Sequence, residues 1–143
     1  MFSKTLVAGL ALAMAFAGSA SAAQCKFEGD AAAGKTAANA CKGCHLFDAG
    51  KPSRPTGPNL SAIYGSKAGT VADFKKYSDA MQAAAGKGVT WDDANLAAYI
   101  ADPKAFLASV NGSEMKHGMM FQLKDEAKVA KVVAYLKALK DCK

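Results

Sequence analysis

The 143-residue chain has only two histidines, one tryptophan and four prolines. Any imidazole chemistry therefore falls on His45 or His117. No stretch shows sustained alternation of apolar and polar residues, which excludes a sheet protein and points to an all-α chain. There is no run of five or more basic residues, and the basic residues are scattered, so nucleic acid is not the expected partner. There is no internal repeat and no low-complexity linker. The length suits one domain with a modest core. Beyond the amino terminus, no segment is apolar enough to cross a membrane, so no stable membrane insertion is expected.

The amino terminus has a separate purpose. Lys4 gives a positive start, Leu6 to Ala17 is an apolar run of 12 residues, and Ala20-Ser21-Ala22 fits a small-residue cleavage site. This is the pattern of a secretory signal peptide over residues 1–22, cleaved after Ala22 or Ala23. The run is too short to span a bilayer, which takes about 20 residues. A lipid anchor on Cys25 is disfavoured because Gln24 stands where a small residue is wanted. The expected mature protein is residues 23–143, a soluble monomer exported to a bacterial periplasm. All four cysteines, Cys25, Cys41, Cys44 and Cys142, remain in it. In that oxidising compartment cysteine pairs stay oxidised unless something else captures them.

The net charge is +6, falling to +5 once Lys4 leaves with the leader. A moderately basic surface favours acidic partners and fast, salt-sensitive encounters. Asp30 to Ala40 is alanine-rich and reads as a helix. Gly50 to Asn59 carries three of the four prolines and reads as an irregular loop. A short helix is expected over Ser78 to Ala85. A further helix is expected from a cap at Thr90 to about Ala101, and another from Pro103 to about Ser109. Glu126 to Asp141 is the clearest helix: Val129, Val132, Val133, Leu136 and Leu139 form one apolar stripe. The loops are long for the chain's size, and such loops wrap or bind something.

Cys41-Lys42-Gly43-Cys44-His45 is the most informative stretch. A bare Cys-x-x-Cys suits a thioredoxin-like redox pair, but that needs a βαβ setting, and no strand is expected. A structural zinc site wants a fourth ligand at suitable spacing, and the remaining thiols lie near the two ends. Covalent haem attachment fits best. Cys41 and Cys44 add to the two vinyl groups as thioethers, and His45 comes under the iron from the same turn. One covalent haem c also answers the thin core, because it supplies a large apolar disc for the loops to close on. The second axial position decides the chemistry. An open site binds gases or activates oxygen species; a second protein ligand closes it for electron transfer. Its candidates lie in Lys116-His117-Gly118-Met119-Met120-Phe121, where methionine sulfur is a soft ligand suited to haem iron. Met81 and Met115 read as core or surface residues.

In this order the motifs resemble the class I c-type cytochromes, especially the bacterial c2 type and its respiratory relatives. The resemblance runs from Gly29 to Leu139. It implies a class I cytochrome c fold, about four to five helices and long loops around one covalently bound haem. Gly29 to Lys35 resembles the amino-terminal helix. Thr56 to Leu60 resembles the loop whose proline carbonyl accepts a hydrogen bond from the proximal histidine, a role that falls on Pro58. Thr90-Trp91 and Tyr99 resemble the middle helix, where the tryptophan meets a haem propionate and the tyrosine lies near the ligand methionine. Asp102-Pro103-Lys104 resembles the turn that ends that helix. Lys116 to Phe121 resembles the ligand loop and implies Met119 as the sixth ligand, with Phe121 as packing. Met120 is the nearest rival, and His117 a solvated loop residue or a bis-histidine ligand. Tyr77 resembles a propionate-binding tyrosine, although Lys75-Lys76 makes that segment one residue longer than usual.

The chain also departs from the family. Ser66 stands where an arginine often pairs with a propionate, and Ala38 where the first helix usually offers an aromatic ring to the last. The family packs its first and last helices together, which implies that Cys25 and Cys142 come within reach of a disulfide. The function implied is one-electron transfer without enzymatic activity. Lys42, Lys51, Lys67, Lys116 and Lys124 are docking candidates for redox complexes with acidic faces. Such complexes include a cytochrome bc-one complex, a terminal oxidase, a photosynthetic reaction centre or a dehydrogenase. The alternative is a haem-based ligand sensor or peroxidase-like module with an open iron, for which only His117 is on hand as a distal acid–base group.

Overall fold

The computed structural model describes residues 25–142. The leader and its cleavage site lie outside the described residues. Among those residues the elements are α1 (Gly29–Ala37), a 3-10 turn (Ala38–Cys41), α2 (Asp79–Gly86), α3 (Asp93–Ala101), α4 (Pro103–Asn111) and α5 (Glu126–Lys140). They include no strand, only isolated bridges at Arg54–Gly57 and Lys67–Thr90.

Helix α5 starts because Asp125 caps it, accepting from the Lys128 N–H at 3.0 Å. Its stripe is buried as Val129, Val132, Val133, Tyr135, Leu136 and Leu139. Helix α1 packs across that face. The crossing is close because α1 presents small residues there. A Cβ on Gly34 would sit 1.8 Å from the Lys131 carbonyl oxygen. Ala38 is fully buried. No ring stands at Ala38. Instead the rings come from elsewhere: Phe27 meets Tyr135 edge-on at 5.0 Å, and Phe47 meets it tilted at 5.7 Å. Such pairs add about 0.5–1.5 kcal/mol each beyond area burial.

Helix α3 packs on both α5 and α4, and α2 packs on α4. The cap of α3 is Asp92, not Thr90: the Asp92 carboxylate accepts from the Asn95 N–H at 2.8 Å. A charged acceptor complements the helix dipole better than a hydroxyl, and Thr90 is taken up in its bridge to Lys67. Asp102 ends α3 and caps α4, accepting from the Ala105 N–H at 3.0 Å with Pro103 in the first turn. Helix α4 runs two residues past the expected end, to Asn111. It stops at Gly112, whose φ of +79° is the left-handed conformation that glycine adopts without strain. The long loop between the 3-10 turn and α2 wraps this frame. Gly65 N–H donates to the Trp91 carbonyl at 2.8 Å, and the Trp91 N–H to the Ser66 carbonyl at 2.9 Å, which seats Trp91 at 4% exposure.

Candidate haem-binding site

The alanines of α1 and the 3-10 turn deliver Cys41 at a helix end. The chain then doubles on itself: the Cys44 and His45 N–H groups both donate to the Cys41 carbonyl, at 3.2 and 3.0 Å. This places two thiols and an imidazole on one turn. Cys41 is half-buried, Cys44 is exposed, and neither is in a disulfide. Burial, then the neighbouring Cys44, pushes the Cys41 thiol above its ordinary value.

The His45 ring is held from below. Its Nδ1 lies 2.7 Å from the Pro58 carbonyl oxygen. That oxygen can only accept, so Nδ1 carries the hydrogen and Nε2 keeps its lone pair. Burial lowers the histidine's pKa, and the Pro58 bond opposes it. A neutral imidazole is the form that ligates a metal. The loop under the ring is built for close approach. A Cβ on Gly57 would lie 2.5 Å from His45 Cε1 and 3.0 Å from the Cys44 carbonyl oxygen. The Thr56 hydroxyl donates to that same Cys44 carbonyl at 3.0 Å. Buried Asn59 holds the loop's far side through the Asp48 and Lys51 carbonyls, at 2.9 and 2.8 Å. The roles of Gly57 and Thr56 were not read from the sequence. Their signal was present as the glycine directly before Pro58.

A second group of candidate residues lies on α3, α4 and the segments that flank them. Trp91, Tyr99 and Phe106 form an aromatic cluster with centroids 5.0–6.0 Å apart. Burial, with Tyr77 nearby, pushes the Tyr99 phenol far above its ordinary value, so it stays a neutral donor. Tyr77 is also pushed up by burial, and its oxygen accepts from the Val71 N–H at 3.1 Å. Ser66 puts no charge in this region: its hydroxyl donates to the Ile63 carbonyl at 2.7 Å. Met119 is half-buried, whereas Met120 is 76% exposed. Phe121 was expected to pack inward and is 39% exposed. Met81 is buried and Met115 is 38% exposed.

Of the docking candidates, Lys42, Lys51, Lys67 and Lys116 are exposed. Lys124 is exposed too, but is paired with Asp102 at 3.2 Å. The Cα atoms of Cys25 and Cys142 lie 5.7 Å apart with their sulfurs in bonding contact. Two open hollows flank the loop of residues 59–82, and neither includes Cys41, Cys44, His45 or Met119. Among the described residues, no group of three His, Cys, Asp or Glu side chains is placed to hold a bare metal ion. The donor set instead fits a covalent haem: two unpaired thiols, an imidazole with one free nitrogen, and a thioether.

No family model matches the chain. It is 42% identical over 136 residues to cytochrome c2 of Rhodospirillum rubrum, covering 94% of this chain and 96% of that protein. It is 41% identical over 140 residues to cytochrome c2 of Cereibacter sphaeroides, covering 93% and 94%. The chain belongs to the class I c-type cytochromes, among those of the c2 type. The solved structure of cytochrome c2 from Rhodobacter sphaeroides matches this cytochrome's fold with a TM-score of 0.69 at 42% identity, covering 77% of this chain and 95% of that one.

This cytochrome is an electron carrier with one covalently bound haem c. The ligand-sensor and peroxidase-like alternative is not favoured. No described helix is long and apolar enough to cross a membrane. Bound haem supplies a one-electron couple at its iron. The chain's own contribution is rigidity. Pro58 fixes the His45 ring, Gly57 lets the loop close on it, and buried Trp91 anchors an aromatic cluster with half-buried Tyr99 and Phe106.

Proposed function

We propose that this cytochrome is a periplasmic one-electron shuttle without enzymatic activity of its own. In this reading Cys41 and Cys44 hold the haem as thioethers, and His45 and Met119 are the axial ligands. The His45–Pro58 hydrogen bond at 2.7 Å carries the assignment, because it aims a neutral ring nitrogen away from the loop on the turn that bears both thiols. Met119 is favoured over Met120 by burial. Tyr77, Trp91 and Tyr99 line the haem pocket. Tyr99 and Tyr77 supply neutral hydroxyl donors there, a role their raised pKa values support. Cys25 and Cys142 form a disulfide.

Its partners are redox complexes with acidic docking faces: a bc-one complex, a terminal oxidase, a reaction centre or a dehydrogenase. Lys42, Lys51, Lys67 and Lys116 steer the encounter. Lys124 contributes less, because Asp102 partly neutralises it. The test is the near-infrared spectrum of the oxidised holoprotein. The weak band of a methionine-sulfur–iron bond is expected, lost in Met119→Ala and kept in Met120→Ala. A high-spin spectrum without that band, shifting with low concentrations of carbon monoxide or cyanide, would mean an open iron and end the shuttle reading.

A further inference from the structure

The methionine loop is hung on helix α2 by a single residue. Ala80, fully buried in the first turn of α2, faces two segments of chain at once. Its N–H donates to the Lys116 carbonyl at 3.2 Å. Its carbonyl accepts from Asn111 Nδ2 at 2.9 Å, across 31 residues. Asn111 is the last residue of α4, directly before the Gly112 turn that opens the loop. Lys116 lies three residues before Met119. The loop therefore leaves and re-enters the same residue of α2, and the two hydrogen bonds close it into a ring. Gly118 completes the seat: a Cβ there would be at ordinary van der Waals distance, 3.8 Å, from Ser78 Cβ.

The Asn111 amide is not placed to best advantage for stability. The Ala80 carbonyl can only accept, which fixes Nδ2 toward it and sets the orientation of the amide. Oδ1 is then buried without a hydrogen-bond partner. A buried unpaired acceptor offsets much of what the Nδ2 bond contributes. Removing the side chain thus removes one favourable and one unfavourable group from the folded state together. What it takes away outright is one of the two anchors on the loop.

We propose that Asn111 is a positioning residue that holds the Met119 loop closed over the iron, acting through Ala80. This rests on Met119 being the sixth ligand. The distinguishing signature is a loop that opens more easily in a protein whose global stability is little changed.

The experiment titrates imidazole, which displaces a loop-borne methionine from ferric haem, into the oxidised holoprotein. Thermal unfolding of each sample is measured alongside. In Asn111→Ala imidazole should bind more tightly, by up to roughly fivefold, the equivalent of one full neutral hydrogen bond. The unfolding midpoint should move by no more than a few degrees. Asn111→Asp keeps the volume but at neutral pH offers only acceptors to the Ala80 carbonyl, and should loosen the loop at least as much. It also serves if the alanine variant does not load haem. Asn95→Ala is the control, because Asn95 makes a similar amide bond, to the Thr90 carbonyl at 2.7 Å, with no link to Ala80. It should bind imidazole as the unaltered protein does.

Unchanged imidazole affinity in both Asn111 variants, with the methionine band intact, would overturn the proposal alone. So would equal loosening in Asn95→Ala. Persistence of the band in Met119→Ala would overturn the ligand assignment and, with it, this proposal.

Discussion

Of the residues under the His45 ring, Gly57 has the least freedom to change. Any side chain there meets the His45 ring and the Cys44 carbonyl, and the second is backbone that cannot swing aside. Gly57→Ala should therefore displace the imidazole from the Pro58 carbonyl. A nitrogen that no longer donates is a weaker base on its far side, so both ligand geometry and reduction potential should change. The expected outcome is poor haem loading or a shifted midpoint potential in the loaded fraction, read by haem stain and by redox titration. A Gly57→Ala protein with normal loading and potential would show that the loop yields at no cost.

Helix contacts make a different kind of prediction. Helix α1 approaches α5 so closely that Gly34→Ala would drive a methyl into the Lys131 carbonyl. Overpacking of this kind costs about 1–3 kcal/mol, and the backbone obstacle puts this case at the upper end. Denaturant unfolding of the holoprotein checks it. The helix starts depend on aspartates and carry a pH dependence. Lys137 beside Asp93 holds that carboxyl below the usual range. The Ala105 N–H does so for Asp102 before Lys124 adds to it, and the Lys128 N–H does so for Asp125. A lowered folded-state value means that stability is fully present above the ordinary aspartate value, about 3.9. It is lost as pH falls through the lowered values. The melting midpoint should hold steady from neutrality to about pH 5 and decline below pH 4. A decline beginning near pH 6 would point to a group other than these aspartates.

Taken as one body, the protein is tied at its ends and around its haem. The proposed disulfide joins residues 117 apart in sequence. On the chain-entropy model a loop of that length contributes roughly 4–5 kcal/mol. With the haem attached as proposed, Cys41 and Cys44 are already restrained against the rest of the chain, so replacing Cys25 and Cys142 by serine should cost less, about 2–3 kcal/mol. Denaturant unfolding of that variant measures it, and two alkylatable thiols in the native holoprotein would rule the disulfide out. The net positive charge acts at the same level. Raising ionic strength should slow electron transfer to an acidic partner, because exposed lysines are screened over about 10 Å at 0.1 M salt. A rate independent of salt would remove the steering role of Lys42, Lys51, Lys67 and Lys116.

The haem motif, the apolar stripe of α5 and the ligand-loop pattern are all local, and local pattern is what a sequence carries. Cys41, Cys44 and His45 are neighbours in the chain, so their joint chemistry needs no fold to be seen. The same holds for Val129 to Leu139, whose spacing alone marks a buried face. Contacts between distant segments are another matter. Asp92 displaced Thr90 as the cap of α3 because Lys67 engages Thr90 from across the molecule. Ala38 reads as a loss of aromatic contact, yet with Gly34 it lets α1 close on α5 while Phe27 and Phe47 both reach Tyr135. Gly57 lies in the Thr56–Leu60 motif, which does not say why a glycine is needed there, and Asn111 belongs to no motif. Their importance comes from what lies opposite: the His45 ring in one case and the Ala80 carbonyl in the other. Sequence spacing reports neighbours along the chain, and close approach in space is a property of the packed whole.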